Sequence, residues 1–249
     1  MSKRSIKQIF IVLISVIILS MIGFVIYYIV KPVSSCFDGI QNQNEENIDC
    51  GGVCSSCEII YPEDIDILSS EAILSQGNFY DAAIKIKNPN QNSGSGYIPY
   101  KLELYNQYDE LVGNRSGATF VLPNQTKYII ELKIESSDVV RDIKISFGRI
   151  VWQKLSEQIP QLAVIQKEYS QNKVKGILIN KTDLNFNNVD INILLFDSSK
   201  KLIGLNIAKI ETLPAGQERD FAVVWFKEIS GNVAFVEAEA ETNIYVQSF

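Results

Sequence analysis

From Ile9 to Val30 the chain runs for 22 residues without a charge, dense in Ile, Val, Leu and Phe. A helix of that length rises about 33 Å, which matches the ~30 Å hydrocarbon core of a bilayer. A core helix of a globular domain rarely runs this long without a polar face. Lys3, Arg4 and Lys7 precede the run and only Lys31 follows it closely. The positive-inside rule then predicts a cytoplasmic stub (1–8), a single transmembrane helix (9–30) and an extracytoplasmic remainder. Tyr27 and Tyr28 would sit at the outer headgroup layer. A cleaved signal peptide has a shorter apolar region and a small-residue cut site. This run ends instead in Ile29-Val30-Lys31-Pro32.

Beyond Cys57 the pattern changes to short segments with apolar residues at every second position, separated by Asn, Gly, Pro and Ser clusters. That is the mark of an all-β sandwich. Ala83–Lys87, Tyr100–Tyr105 and Tyr128–Ile134 read as strands in one half. Val174–Ile179, Val189–Phe196 and Phe221–Phe226 read as strands in the other. Period-two alternation predicts sheets packed on one face and wet on the other.

The two halves align by landmarks. Asn88 and Asn180 each close a strand and lie 92 residues apart. Gly113 ends Leu-Val-Gly and Gly204 ends Leu-Ile-Gly, 91 apart; Leu122-Pro123 and Leu213-Pro214 are also 91 apart. A near-constant offset predicts a duplicated domain of about 90 residues, each copy with its own core and able to fold alone. The boundaries expected are 58–155 and 161–249, with the join near Ser156–Gln161. Gly113 and Gly204 are expected where a Cβ would meet close packing or a positive φ, and Pro123 and Pro214 where a strand must stop. Trp152 and Trp225 are expected to fill the cores, as large aromatics do between sheets.

All four cysteines, Cys36, Cys50, Cys54 and Cys57, fall in a module of residues 31–57. Outside the cytoplasm an even count reads as two disulfides, with three pairings open. A segment this short buries no core, so the bridges would stand in for one. A zinc site with four thiolates would need a second CxxC beside Cys54–Cys57, which the spacing lacks. Val33-Ser34-Ser35-Cys36 has a lipobox outline, but Lys31 and Pro32 part it from the apolar run, and lipidating Cys36 would strand three cysteines. Asp38, Asn42, Asn44, Glu45, Glu46 and Asp49 place oxygen ligands at short intervals beside Gly39, as a calcium loop would. They do so without the twelve-residue D-x-[DN]-x-[DN]-G pattern. A solvated acidic loop is the plainer reading, so no cofactor is expected.

The run CFDGIQNQNEENIDCGGVCSSC resembles the C-x-DG…DCGG-x-C-x-x-C module of many secreted and surface-anchored bacterial proteins. The resemblance implies an extracytoplasmic spacer and no activity. Residues 160–249 resemble the FxLYD-type domain of bacteria and archaea, with Leu195-Phe196-Asp197 at the LYD element. The first half resembles it more loosely, through Leu104-Tyr105-Asn106. This likeness implies immunoglobulin-like sandwiches and carries fold, not function.

Charge and composition narrow the function classes. The formal net charge of -6 leaves no basic stripe for nucleic acid. Histidine is absent, which removes imidazole bases and the usual nucleophile pairs with them. Glu237, Glu239 and Glu241 put three carboxylates on one strand face. Glycosidase pairs come from separate elements of a cleft, so a solvated edge that blocks aggregation is the plainer reading. Asn88–Gly96 reads as a solvated loop. Asn114, Asn124 and Asn180 head N-glycosylation sequons, and chance accounts for these in an Asn-rich chain. The expectation is a non-catalytic, membrane-anchored extracytoplasmic protein that presents two sandwiches to a protein or envelope partner. An accessory subunit of a secretion or pilus-type assembly is the alternative, and a hydrolase of envelope polymers the last resort.

Overall fold

The computed structural model describes residues 13–24, 27, 40–42, 44–45, 48, 50, 52–54, 62–155 and 159–246. The chain forms two compact units, Met1–Tyr61 and Pro62–Phe249. In the first unit residues 13–24 and Tyr27 are helical. The stub 1–8 and the rest of the 9–30 segment lie outside the described residues. Among the described residues no helix is long and apolar enough to cross a membrane.

The second unit is all-β. In its first half β1 (Asp66–Gln76), β2 (Phe79–Lys87) and β5 (Thr126–Glu135) form one sheet in the order β1-β2-β5. Facing it, β3 (Ser93–Tyr105), β4 (Leu111–Val121) and β6 (Asp142–Phe147) run in the order β4-β3-β6, with β7 (Gln153–Lys154) against the start of β3. In the second half β8 (Leu162–Ser170), β9 (Lys173–Asn180) and β12 (Glu218–Val224) form the sheet β12-β9-β8. Its partner is β11-β10-β13, made of β10 (Phe186–Phe196), β11 (Leu202–Leu213) and β13 (Phe235–Glu241). All pairings are antiparallel, and the two halves share one connectivity. The segments read from sequence are the central strands β2, β3, β9 and β10 and the edge strand β5. The strand expected over Phe221–Phe226 stops at Val224.

Each repeat landmark has a physical cause. Asn106 Oδ1 accepts from the backbone N–H groups of Tyr108 (2.9 Å) and Glu110 (3.1 Å). Asp197 Oδ1 does the same from Ser199 (2.8 Å) and Lys201 (3.0 Å). Both side chains thereby fix the β3–β4 and β10–β11 hairpins, and the positive φ falls at Asp109 and Lys200. The glycines that follow need close packing, since neither has a positive φ. A Cβ on Gly113 would lie 2.5 Å from the Glu135 carbonyl oxygen, and one on Gly204 2.9 Å from Leu195 Cδ1. Asn88 and Asn180 are fully buried ties. Asn88 Nδ2 donates to the carbonyls of Ser93 (2.7 Å) and Leu122 (2.8 Å), and Asn180 Nδ2 to those of Leu184 (2.7 Å) and Pro214 (3.1 Å). The Asn180 amide is therefore spent inside the fold and is no glycosylation acceptor. Pro123 is buried and Pro214 half-buried, each at the turn that follows β4 or β11.

Three apolar clusters hold the unit together. Ile84, Ile86, Ile98, Leu102 and Leu104 centre the first sandwich; Phe186, Val189, Ile191, Ile193 and Leu195 centre the second. The third joins Ala83 and Tyr128 of the first sandwich to Leu194, Phe196, Leu202 and Leu205 of the second. The outer face of β1-β2-β5 is thus packed on the outer face of β11-β10-β13. This corrects the expectation of one wet face for Val189–Phe196, because from Ile191 onward β10 is buried on both faces. Leu122, from the loop after β4, is counted in the second core as well.

The stretch read as a solvated loop is also different. Ser93, Gly94 and Ser95 are buried and begin β3, covered by the C-terminal turn Ile244–Val246 (η1). A Cβ on Gly94 would strike the Tyr245 hydroxyl, and Asn243 Nδ2 donates to the Gly96 carbonyl at 2.8 Å. Small residues are required there because another backbone and a ring pass close by.

Candidate functional site

In the cysteine module Cys36, Cys57, Asp38 and Asp49 lie outside the described residues. Cys50 and Cys54 are half-buried and carry no free thiol. Glu45 is buried and turned into its own loop. Its Oε2 accepts from Asn42 N–H at 3.1 Å, its N–H donates to the Asn42 carbonyl at 2.8 Å, and the Cys54 sulfur lies 3.1 Å from its Oε1. Asn44 sits at φ 63° and Gly52 at φ 60°, and a Cβ on Gly52 would strike the Asn44 carbonyl. Among the described residues no group of three acidic, Cys or His side chains could hold a metal ion. Glu45 acts here as a turn-former.

The tryptophans expected in the cores lie at their margins. Trp152 is half-buried against the first core and Trp225 half-buried against the second. Trp225 Nε1 donates to the Leu205 carbonyl at 3.0 Å, and its ring meets Tyr169 edge-on at 6.4 Å. The fully buried aromatic of the second core is Phe186.

The richest chemistry lies in the seam between the sandwiches. The carboxylates of β13 face the first sandwich and are half-buried, which replaces the reading of a solvated edge. Glu237 lies 3.9 Å from Lys85 Nζ, and Lys85 Nζ lies 3.3 Å from the Tyr128 hydroxyl. Glu241 Oε2 pairs with Lys127 Nζ at 2.5 Å, where the two side chains are only 14% and 4% exposed. Lys127 Nζ also donates to the Phe120 carbonyl at 3.3 Å and sits 3.8 Å from the centre of the Phe120 ring. Asn192 Nδ2 reaches both the Tyr128 carbonyl (3.2 Å) and Glu241 Oε1 (3.3 Å). A polar cleft of about 270 Å³ opens here between Thr126, Lys127, Glu239 and Glu241. At the other end of the seam a groove of about 520 Å³ runs between Leu74, Leu132, Leu205, Val224 and Phe226. Asp81 borders it, accepting from Lys133 N–H at 2.8 Å at a bulge in β5; burial pushes its carboxyl above the usual range.

Burial, together with the neighbouring Glu237, pushes Glu239 up to about 7, while Lys85 and Lys127 act in the opposite direction. Its ordinary value is 4.5. Between those two values the folded chain holds the proton more tightly than the unfolded one, so stability falls as pH climbs from about 4.5 to about 7. Glu239→Gln keeps the shape and removes the charge. It should therefore stabilise residues 62–249 at about pH 8 by about 1–2 kcal/mol, the full linkage value being discounted for partial solvation. At about pH 4 it should change little. Urea melts at both pH values decide; equal gains at both would show that charge is not the cause.

Lys85, Lys127 and Asn192 were not singled out from sequence. The available signal was Tyr128-Ile129-Ile130, apolar at consecutive positions, which marks a strand buried on both faces. No protein-family model matches the chain, and no curated protein matches it. Among solved structures the chain is similar to the transglutaminase of red sea bream, at 8% identity and a TM-score of 0.25. That match covers 71% of this chain and 29% of the other.

Proposed function

We propose that this chain is a non-catalytic, membrane-anchored extracytoplasmic protein whose two immunoglobulin-like sandwiches act together as one docking platform for a protein partner. The observation that carries the reading is the seam. An apolar cluster from both halves fuses the sandwiches, and beside it the groove leaves Leu74 59%, Val224 46% and Phe226 104% exposed. Concave apolar surface at a domain junction is where proteins bind partners and ligands. A fully exposed phenylalanine at its rim is the type of side chain that anchors an interface.

The remaining parts fit that role. Residues 13–24 expose apolar side chains on all sides, as a helix does when lipid or protein covers it. With the uncharged run 9–30 this supports a single-pass anchor, the N-terminus inside and the C-terminus outside. The four cysteines would then form two disulfides in a short spacer, and the FxLYD likeness supports the immunoglobulin-like assignment. The decisive experiment is crosslinking in intact cells with a photoreactive residue at position 226. A discrete adduct with another protein, lost on Leu74→Asp, supports the reading. Adducts to lipid alone, or none while protease accessibility shows the sandwiches outside, would overturn it.

A further inference from the structure

The Lys127–Glu241–Asn192 contact is an unusual use of buried charge. An ion pair withdrawn from water gains little net stability, because desolvation offsets most of the attraction. Yet here an amine on β5 of the first sandwich is nearly sealed by Phe120, Glu241 and the second sandwich. Its carboxylate partner is held by register. Glu241 stands opposite Asp190 on β10, which puts it diagonal to Asn192 on the same face. One carboxylate thus touches the amine with Oε2 and the carboxamide with Oε1, and Oε2 has no hydrogen bond beyond that ion pair. Asn192 is 3% exposed, and its Nδ2 is steered by the Tyr128 carbonyl.

From this arrangement we propose that Lys127 and Asn192 join in an intramolecular isopeptide bond that staples the two sandwiches, with Glu241 as the catalytic proton carrier. The Lys127 ammonium gives one proton to Glu241, which frees the Nζ lone pair in a site that shields it from water. Nζ attacks Cγ of Asn192, forming the C–N bond and a tetrahedral centre. The second Nζ proton passes through Glu241 to Nδ2, the Cγ–Nδ2 bond breaks, and ammonia leaves, taking the first proton to become ammonium. Atoms and charge balance with no outside reactant: an ammonium and a carboxamide become a secondary amide and an ammonium ion, and Glu241 ends as the carboxylate it began as. Glu241 then accepts from the N–H of the new amide. Holding amine and carboxamide on the two oxygens of one carboxylate replaces a bimolecular encounter, which is how so slow an aminolysis becomes accessible in a folded chain.

The bond is read by mass. The purified full chain, with its cysteines fully reduced, should be lighter than its sequence mass by one ammonia. A protease digest should yield one branched peptide joining the Lys127 and Asn192 segments. Lys127→Arg and Glu241→Gln should both restore the sequence mass while keeping the β-type circular dichroism spectrum. Asn192→Asp should lose water in place of ammonia, a change of leaving group that no structural role for Asn192 would produce. A natural chain at full sequence mass with a native spectrum would overturn the proposal without reference to any variant. So would an ammonia loss that persists in Lys127→Arg.

Discussion

Residues 161–249 produced alone should melt at a far lower urea concentration than residues 62–249. The offset of 91–92 residues between landmarks points to two equal copies, and each copy does have a core of its own. But the second copy also gives Leu194, Phe196, Leu202 and Leu205 to the cluster it shares with the first. Cutting the chain returns those side chains to water, at about 1.5–3 kcal/mol for each one fully exposed. It also removes Leu122, Phe120 and Leu155 from the second core, and it takes Gly94 and Gly96 away from Tyr245. Partial exposure and relaxation reduce the sum to about 4–8 kcal/mol. That is comparable to the whole stability of a small domain. The expected result is one cooperative transition for 62–249 and a marginal or self-associating fragment for 161–249. Size-exclusion chromatography alongside the melts separates a stable monomer from a dimer that hides the exposed face. Equal midpoints for a monomeric fragment and the pair would show that the shared cluster adds nothing.

Much of this fold is visible in the order of side chains, and what escapes notice has a common cause. The hairpin motif Asn106/Asp197 … Gly113/Gly204 is local chemistry: an Asx side chain closes a turn, and a glycine lets a neighbour approach. Such features are legible because their partners lie a few residues away. The seam is not, since Lys127 meets Glu241 across 114 residues and Tyr128 meets Asn192 across 64. Ile193-Leu194-Leu195-Phe196 does hint at it. Four apolar residues in succession cannot belong to a strand with one wet face, and all four are buried. The same fact decides how Glu237, Glu239 and Glu241 behave. On an isolated edge strand they would be solvated gatekeepers, whereas against a second sandwich they become partners for Lys85 and Lys127. Asn88–Gly96 misleads for the opposite reason: glycine and serine suit an exposed turn and also a strand that another backbone crosses closely.

The aromatic that matters most to the second sandwich should be Phe186, not Trp225. Phe186 is fully buried, pairs across the sheet with Leu213, and belongs to the core with Val189, Ile191 and Leu195. Phe186→Ala leaves a ring-sized cavity among side chains held by two sheets, a loss of about 3–5 kcal/mol. Trp225 follows the end of β12, half-buried, with its ring edge-on to Tyr169 and one hydrogen bond to the Leu205 carbonyl. Trp225→Ala removes only part of a buried ring and one hydrogen bond. Water can replace that bond at the margin of the groove, so the loss should be about 1–3 kcal/mol. Phe186→Leu keeps most of the volume and should cost about 1–2 kcal/mol, which covers the case in which the alanine variant does not fold. Urea melts of residues 62–249 carrying each change give the order Phe186→Ala, then Trp225→Ala. The reverse order would place the indole at the centre of the core and remove it from the rim of the groove to which a partner is proposed to dock.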